Sequence, residues 1–260
     1  MTENTYQGDL AFALTLADAA DVVTMRHFQS PSLVVESKQD HTEVTIADRD
    51  TEKTIRSMIL ATRPHDGIVG EEHGTVAGTS GCRWIIDPID GTSNYVRGVP
   101  VWATLIALER AGSLVVGVAS CPALARRWWG TIGGGAYLNG TPITVSSVER
   151  VGDAFLSYVE STAWEDKGRR TGIDKLRRTA NRERAFGDFW QHMLVAEGSI
   201  DAAVEAIVSL WDLAAVQVIV EAAGGRFSDL GGSARADGGS AVSTNGRLHE
   251  SVLRILNDGS

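Results

Sequence analysis

The chain has 260 residues, of which 43% are hydrophobic and 22% are charged, a balance typical of a folded globular protein that excludes a disordered chain. Its 33 Asp and Glu residues outnumber its 24 Lys and Arg residues, which gives a formal net charge of −9. Such a charge disfavours nonspecific binding to nucleic acid or to an anionic membrane, and no apolar run reaches the ~18 residues that a membrane span requires.

Two amphipathic helices are predicted at the start of the chain. In the first, over 9–28, Leu10, Ala17 and Met25 recur at helical spacing and form one apolar face. The second covers 48–60 and ends ahead of a proline, because the residue before a proline disfavours the helical conformation.

Short strands are predicted after the second helix. The runs 67–70 and 83–86 are apolar, and each leads into acidic residues. The runs 101–108 and 114–119 are rich in β-formers, and the glycine-containing turn between them predicts a hairpin.

The pattern changes near residue 147. From there helices alternate with short strands: the basic stretch 169–184 predicts a solvated helical connection, and 213–223 predicts a helix that ends at a glycine pair. We therefore predict an N-terminal α+β half, 1–147, and a C-terminal α/β half, 148–260, which pack as one unit.

The most informative segment is DPIDGTSN, which begins at Asp87. An apolar strand leads to Asp87, Pro88 changes the direction of the chain, and Asp90 returns near Asp87. Gly91 lets the backbone approach a ligand closely, and the amides of the following turn are free to receive a phosphate. Carboxylate oxygens are the ligands that Mg²⁺ prefers. The alternative is that the two aspartates only form and cap a turn.

Other acidic residues each have a structural alternative to metal binding. Glu71 and Glu72 follow a short apolar strand, and such a pair is also typical of a solvated loop. Asp48 lies three residues after Thr45, at the spacing of a capping box. Asp212 precedes the last predicted helix, where an N-cap aspartate is common. Taken singly, these positions favour capping or a solvated loop at least as much as metal binding.

Together, the acidic segments resemble the inositol monophosphatase family. The segments VTIAD from Val44, GEE from Gly70, DPIDGT from Asp87 and WDLAA from Trp211 occur in the order and approximate spacing of that family. The resemblance covers residues 10–255 and implies a layered αβαβα fold of the sugar-phosphatase type, with α+β and α/β character. It also implies a phosphomonoester hydrolase with two to three Mg²⁺ ions in each active site, in which activated water attacks phosphorus directly without a phosphoenzyme.

The resemblance further implies roles for individual residues. The metal ligands that it implies are Glu71, Glu72, Asp87, the carbonyl of Ile89, Asp90 and Asp212, with Asp87 bridging two ions. The catalytic residues that it implies are Glu71, Asp48 and Thr92. The substrate-binding residues that it implies are Gly91, Thr92, Ser93, Asp188, Glu205 and Asp212, with the first three forming a phosphate cradle.

Two side chains bear on the identity of the phosphomonoester. Glu205 resembles the family position that contacts the alcohol portion of the substrate, and Asp188 adds a carboxylate where inositol phosphatases tend to carry a small residue. An added carboxylate favours a cationic substrate such as histidinol phosphate. The segment SNYVRGVP from Ser93 also resembles the histidinol-phosphate branch of the family. Histidinol phosphate is therefore the predicted substrate and inositol monophosphate the alternative, and Asp188 also fits a surface or capping role.

Other classes of function fit the sequence less well. The segment RRWW from Arg126 mixes basic and aromatic residues, a weak signal of nucleic-acid binding for which packing is the alternative. A noncatalytic scaffold of the same fold would be expected to lack some of the metal carboxylates. We predict no nucleic-acid or membrane partner, and the resemblance implies a homodimer. Cys82 and Cys121 lack metal-ligand spacing and no secretory signal is visible, so we expect a reducing, cytoplasmic location.

Overall fold

The computed structural model of the chain describes residues 5–37, 42–159 and 161–258. The helices are α1 Gln7–His27, α2 Ile46–Thr62, α3 Thr92–Val96, α4 Ala163–Asp166, α5 Arg170–Thr179, α6 Asp188–Ala196, α7 Leu210–Ala222 and α8 His249–Asn257. The strands are β1 Val35–Ser37, β2 Glu43–Thr45, β3 Gly67–Gly70, β4 Gly74–Val76, β5 Cys82–Asp90, β6 Ala103–Arg110, β7 Ser113–Cys121, β8 Arg126–Thr131, β9 Gly135–Leu138, β10 Thr141–Ile143, β11 Phe155–Tyr158, β12 Arg182–Arg184, β13 Ala202–Glu205, β14 Arg226–Ser228 and β15 Ala241–Thr244.

Two mixed sheets organise most of the strands. Within the described residues the larger sheet has the order β10-β9-β8-β7-β6-β5-β3-β4, and the smaller sheet has the order β12-β11-β13-β15-β14. In the larger sheet β3 and β5 run parallel, and in the smaller sheet β11 runs parallel to both β12 and β13. The strands β1 and β2 form a separate antiparallel pair beside α2.

The helices and sheets alternate in five layers. α1 and α2 cover one face of the larger sheet, α6 and α7 lie between the two sheets, and α5 and α8 cover the outer face of the smaller sheet. The predicted αβαβα arrangement is therefore confirmed. α7 is buried from Leu213 to Val220 without interruption, as expected for a helix that is apolar on every side.

Two glycines let α7 approach the larger sheet closely. A Cβ at Gly117 on β7 would lie 2.5 Å from the carbonyl oxygen of Ala215, and a Cβ at Gly130 on β8 would lie 2.9 Å from the Cβ of Ala222. Any larger residue would push the helix away from the sheet. The two glycines thereby fix the height of the whole helix above the strands.

The first helix buries only part of the predicted apolar face, and that part includes Ala17 but not Met25. Met25 is 42% exposed, so its assignment to the core is wrong. The buried face instead follows Ala13, Ala17, Ala20 and Thr24 at helical spacing, and the next residue points about 100° away from it. The small side chains on this face let α1 lie close to the larger sheet.

The second helix and the first hairpin agree with the sequence. α2 ends at Thr62, two residues ahead of Pro64, and buries Ile55 and Ile59. β6 and β7 pair in antiparallel fashion around the predicted turn. Both predictions are confirmed.

The basic stretch 169–184 is only partly helical. α5 ends at Thr179, and 182–184 form the edge strand β12, which pairs with β11. The prediction of a single solvated helical connection is therefore wrong for its last residues. α5 buries Ile173 and Leu176 against the smaller sheet and α8, which explains why the helix is anchored rather than solvated on all sides.

The two sheets follow one another along the chain. The larger sheet ends with Ile143 and the smaller one begins with Phe155, and the predicted boundary near residue 147 falls between them. Since α7 comes from the second half and packs on the sheet of the first, we propose that the halves form one unit. Within the described ranges, no helix is both long and apolar enough to cross a membrane.

Candidate active site

Parallel pairing of β3 and β5 brings Glu71 beside Asp87. Gly70 is in register with Ile86, so the residues that follow them lie at the same edge of the sheet. The N–H of Glu71 donates to the carbonyl of Ile86 at 3.3 Å, which extends the pairing by one residue. Two acidic residues far apart in the sequence therefore become neighbours.

A β-bulge orients the side chains of Asp87 and Asp90. β5 continues to Asp90 instead of ending before Pro88, and the expected change of direction is a shift in its pairing with β6 between Asp87 and Asp90. The N–H of Ile89 donates to Oδ1 of Asp87 at 2.9 Å, and the N–H of Phe189 donates to Oδ2 of Asp90 at 2.6 Å. Backbone amides thus fix one oxygen of each carboxylate.

Asp48 and Asp212 hold equivalent positions at the starts of two helices. The N–H of Thr45 donates to Asp48 and the N–H of Ser209 donates to Asp212, both to Oδ2 at 2.8 Å, in capping boxes. The capping box at Asp48 is confirmed, but α7 begins at Leu210, so the prediction of Asp212 as an N-cap residue is wrong. Capping engages Oδ2 of each aspartate and leaves Oδ1 for other partners.

Asp87, Asp90 and Asp212 converge in one cluster. One carboxylate oxygen from each lies within 4.8 Å of the others. In the part of the chain that the structure describes, no other group of three or more His, Cys, Asp or Glu side chains is close enough to hold a metal ion. The cluster joins β5 of the larger sheet to the first turn of α7.

The cluster is electrostatically unfavourable as a set of bare carboxylates. Burial raises the pKa of Asp87 and of Asp90 well above the usual range, and the charges of Glu71 and Asp188 respectively raise them further. Burial also raises the pKa of Asp212 to about 7. A divalent cation would offset both the burial and the mutual repulsion, and an all-oxygen donor set suits a hard cation. The residues therefore fit a metal ion.

The other predicted ligands lie around this cluster. Glu71 and Glu72 are half-buried and do not belong to the set of three, but the charge of Glu71 raises the pKa of Asp87 after the effect of burial. The carbonyl of Ile89 accepts a hydrogen bond from Oγ1 of Thr92 at 2.9 Å and keeps a second lone pair. Their role as ligands stays a prediction.

Glu52 is a site residue that sequence reasoning missed. This fully buried side chain on α2 accepts hydrogen bonds from the N–H of Glu72 at 2.7 Å and the N–H of His73 at 3.1 Å, and it pairs with Arg56 at 2.9 Å. A Cβ at Gly70 would lie 2.1 Å from its Oε1, so any larger residue there would displace the carboxylate of Glu52. Glu52 follows Asp48 by one helical turn, which is the signal that could have identified it.

We expect Glu52→Gln to raise the Mg²⁺ concentration needed for half-maximal activity by about 10- to 100-fold, the usual cost of disturbing the support of a metal ligand. Glu52 now accepts hydrogen bonds from two backbone N–H groups. The amide of glutamine would face one of them with its own N–H group, so that hydrogen bond would be lost. The loop that carries Glu71 would then lose an anchor. Titration of phosphatase activity with Mg²⁺ measures the effect.

A matched control is Glu183→Gln, which weakens an ion pair with Arg177 on the outer edge of the smaller sheet. That variant should keep the wild-type Mg²⁺ requirement. If Glu52→Gln also keeps it, the loop is held in place without Glu52.

Asp48 and Thr92 meet at the edge of the cluster. Oγ1 of Thr92 lies 3.2 Å from Oδ1 of Asp48 and 2.9 Å from the carbonyl oxygen of Ile89, and its one hydrogen can be donated to either of them. Burial raises the pKa of Asp48 to about 6.

Gly91 adopts φ +83° and caps the short helix α3, whose first-turn amides at Thr92 and Ser93 have no intrahelical acceptors. Ser93 is exposed.

A cavity of about 220 Å³ adjoins the cluster on the side of the smaller sheet. Its acidic lining consists of Asp90, Asp188, Glu205 and Asp212. The rest of its lining consists of Val159, Phe189, His192, Ile207, Val208 and Leu213. Among these described lining residues there is no Lys or Arg, so the cavity is strongly acidic.

Asp188 lines this cavity rather than lying free on the surface. It begins α6 with φ +47°, and Nδ2 of Asn94 donates to its Oδ2 at 3.3 Å. Burial, followed by the charge of Glu205, raises the pKa of Asp188 to about 6. Asp188 and Glu205 line the same cavity, and each is exposed to the charge of the other.

Comparison with known proteins agrees with this geometry. The model of the inositol monophosphatase family matches residues 6–259. A Streptomyces coelicolor protein named histidinol-phosphatase is 49% identical over 262 residues, which cover 97% of this chain and 98% of the relative. A Mycobacterium tuberculosis protein of the same name is 48% identical over 256 residues, covering 96% and 98%. The crystal structure of extragenic suppressor protein suhB from Bartonella henselae has a TM-score of 0.91 at 27% identity, and the match covers 98% of this chain and 100% of that one. This chain belongs to the inositol monophosphatase family.

Proposed function

We propose that the protein is a histidinol-phosphatase, which hydrolyses histidinol phosphate to histidinol and inorganic phosphate. The observation that carries the proposal is the acidic cavity beside the carboxylate cluster, where Asp188 and Glu205 face the space left for the alcohol portion. The names of the relatives from Streptomyces coelicolor and Mycobacterium tuberculosis support the same substrate.

The charge of the cavity distinguishes the two candidate substrates. Histidinol phosphate carries an amine and an imidazole, which can pair with carboxylates. The inositol ring is neutral, so it would leave both buried carboxylates without a cation, at a cost in desolvation. The cavity therefore favours the cationic alcohol.

We propose Mg²⁺ as the metal, held by Asp87, Asp90 and Asp212, with Glu71, Glu72 and the carbonyl of Ile89 as further ligands. When bound, such cations supply Lewis-acid stabilisation of the negative charge that develops on the transferring phosphoryl group. With water as the attacking group, the proposed reaction forms no phosphoenzyme.

Asp48 and Thr92 are proposed to orient the attacking water. Oγ1 of Thr92 donates its one hydrogen to Oδ1 of Asp48 or to the carbonyl of Ile89, and in either case its lone pairs can accept a hydrogen bond from that water. On the other side, Gly91 and the amides of Thr92 and Ser93 are proposed to hold the phosphate oxygens. The proposed cradle and the proposed water site thus share the residue Thr92.

The proposal is tested by measuring phosphate release from histidinol phosphate and from inositol 1-phosphate at matched concentrations with Mg²⁺. We expect kcat/KM for histidinol phosphate to exceed kcat/KM for inositol 1-phosphate by at least about tenfold, since one charge-assisted hydrogen bond contributes about 1.5 to 3 kcal/mol. A preference for inositol 1-phosphate would support phosphatase activity but contradict histidinol phosphate as the substrate.

The same assay with Asp188→Asn tests whether Asp188 selects the cationic substrate. Asparagine tolerates the left-handed backbone of this position and keeps an acceptor for Asn94, so the change is mainly one of charge. KM for histidinol phosphate should rise by about tenfold, and the constants for inositol 1-phosphate should stay near wild type. Equal losses for both substrates would remove the argument for Asp188. The homodimer and the cytoplasmic location remain predictions.

A further inference from the structure

Glu205 is held by two consecutive residues of α6. Nε2 of Gln191 and Nε2 of His192 both meet Oε1 of Glu205, the second at 3.1 Å. All three side chains are buried, with Gln191 at 0% and His192 at 1% exposure. Within the described part of the chain no residue donates to Oε2, the other oxygen of Glu205. The carboxylate is therefore fastened through a single oxygen.

The register of the smaller sheet builds this arrangement. Ser157 on β11, Ala203 on β13 and Ser243 on β15 lie opposite one another in one row across the three strands. Glu205 lies two residues beyond Ala203 on β13, so its side chain points to the same face of the sheet. α6 packs on this face, and the small side chain of Ala203 leaves room for it.

Each of the two α6 residues is fixed in turn by one of the serines. Oγ of Ser157 donates to Oε1 of Gln191 at 2.8 Å, so the amide of Gln191 turns its Nε2 toward Glu205. Nδ1 of His192 meets Oγ of Ser243 at 2.7 Å. Because a carboxylate only accepts, Nε2 of His192 carries the proton in this contact whether the ring is neutral or charged.

We propose that Gln191 and His192 are positioning residues: they fasten Oε1 of Glu205 and leave Oε2 to receive the cationic nitrogen group of the substrate. The inference rests on the proposed function, because it requires a cationic alcohol. It adds that the selectivity of Glu205 depends on two donor side chains that act through Oε1 of this carboxylate. A carboxylate free to rotate would lose part of its hydrogen bonding to a bound ammonium or imidazolium group.

The chain offers a matched pair of variants at His192. His192→Asn places an amide nitrogen near the position of Nδ1 and keeps the contact with Ser243, but it removes the donor to Glu205. His192→Gln places an amide nitrogen near the position of Nε2 and keeps the donor to Glu205. The two variants are similar in size and polarity, so they differ mainly in the contact that the proposal requires.

The test measures kcat and KM of the Mg²⁺-loaded enzyme with histidinol phosphate and with the neutral-alcohol substrate glycerol 2-phosphate. His192→Asn should raise KM for histidinol phosphate by about 5- to 10-fold with kcat within about twofold of wild type. His192→Gln should raise that KM much less, because it keeps the donor to Glu205. The ratio of kcat/KM for histidinol phosphate to kcat/KM for glycerol 2-phosphate should therefore fall far more in His192→Asn than in His192→Gln.

Different results overturn different statements. If wild type shows no preference for histidinol phosphate over glycerol 2-phosphate, the proposed function fails and this inference fails with it. If wild type shows the preference and His192→Asn keeps it in full, or loses activity on both substrates alike, only the positioning role is overturned. Should His192→Asn not fold, as judged by its unfolding midpoint, Ser243→Ala replaces it. That variant removes the partner of Nδ1, and it should raise KM for histidinol phosphate alone by about two- to threefold.

Discussion

Asp87→Asn is expected to lower kcat/KM by about 10³- to 10⁴-fold while making the metal-free protein more stable. The loss of activity follows from removing the central carboxylate of the cluster, which lies beside Glu71, Asp90 and Asp212. The gain in stability follows because a buried carboxylate that repels its neighbours is replaced by a neutral amide of the same shape. We expect the free energy of unfolding in EDTA to rise by about 1 kcal/mol or more.

The two readouts distinguish a metal site from a structural role. Activity is measured with saturating Mg²⁺, and stability is measured by urea unfolding in EDTA. Asp166→Asn, at an exposed position on α4, serves as the control and should change neither quantity. Near-wild-type activity of Asp87→Asn would disprove the role of Asp87 as a metal ligand. A large loss of stability without metal would instead indicate that Asp87 holds the fold.

Removal of divalent metal should reduce phosphatase activity to background, and Mg²⁺ should restore it. The proposed ligands on β5 and the first turn of α7 come together only in the folded state. Mg²⁺ at about 100 times its dissociation constant should therefore stabilise the protein by about 2.7 kcal/mol. Thermal unfolding with and without Mg²⁺ measures this gain, and elemental analysis confirms that the starting protein is metal-free.

Two controls sharpen the experiment. In Asp87→Asn the same Mg²⁺ concentration should give a much smaller rise in the unfolding midpoint. Ca²⁺ tests the choice of ion, because it prefers six to eight oxygen ligands at longer distances and should support little turnover. Full activity in metal-free wild type would overturn the metal-dependent chemistry altogether.

The carboxylate cluster was accessible to sequence reasoning because its parts leave local patterns. Glu71 and Asp87 each follow an apolar strand, and parallel pairing of those strands is enough to bring them together. At Asp48 and Asp212 the sequence fits both helix capping and a role in the site. In the structure the two roles are compatible, because they use different oxygens of each carboxylate. Capping engages Oδ2 of each, and Oδ1 remains for the site.

The support of the site was not accessible in the same way. The spacing of Glu52 one helical turn after Asp48 indicates the side on which it lies, but not its partners, which are backbone amides on a loop 20 and 21 positions away. The hydrogen bonds that hold Glu205 depend on the register that aligns Ser157 with Ser243 across β13. Register is a property of the assembled sheet. The buried face of α1 was misjudged at Met25 because three of its buried residues are alanines, which contribute little to an apolar pattern.

The position of α7 between the sheets also has a consequence for biosynthesis. The strands of the larger sheet are complete once Ile143 has been made, but the helix that covers their inner face ends only at Ala222. Those 79 intervening residues (222 − 143) take about 4 to 16 s to synthesise at ordinary rates of translation. During that time the inner face of the sheet lacks the helix that buries it, so the nascent chain exposes an apolar, aggregation-prone surface.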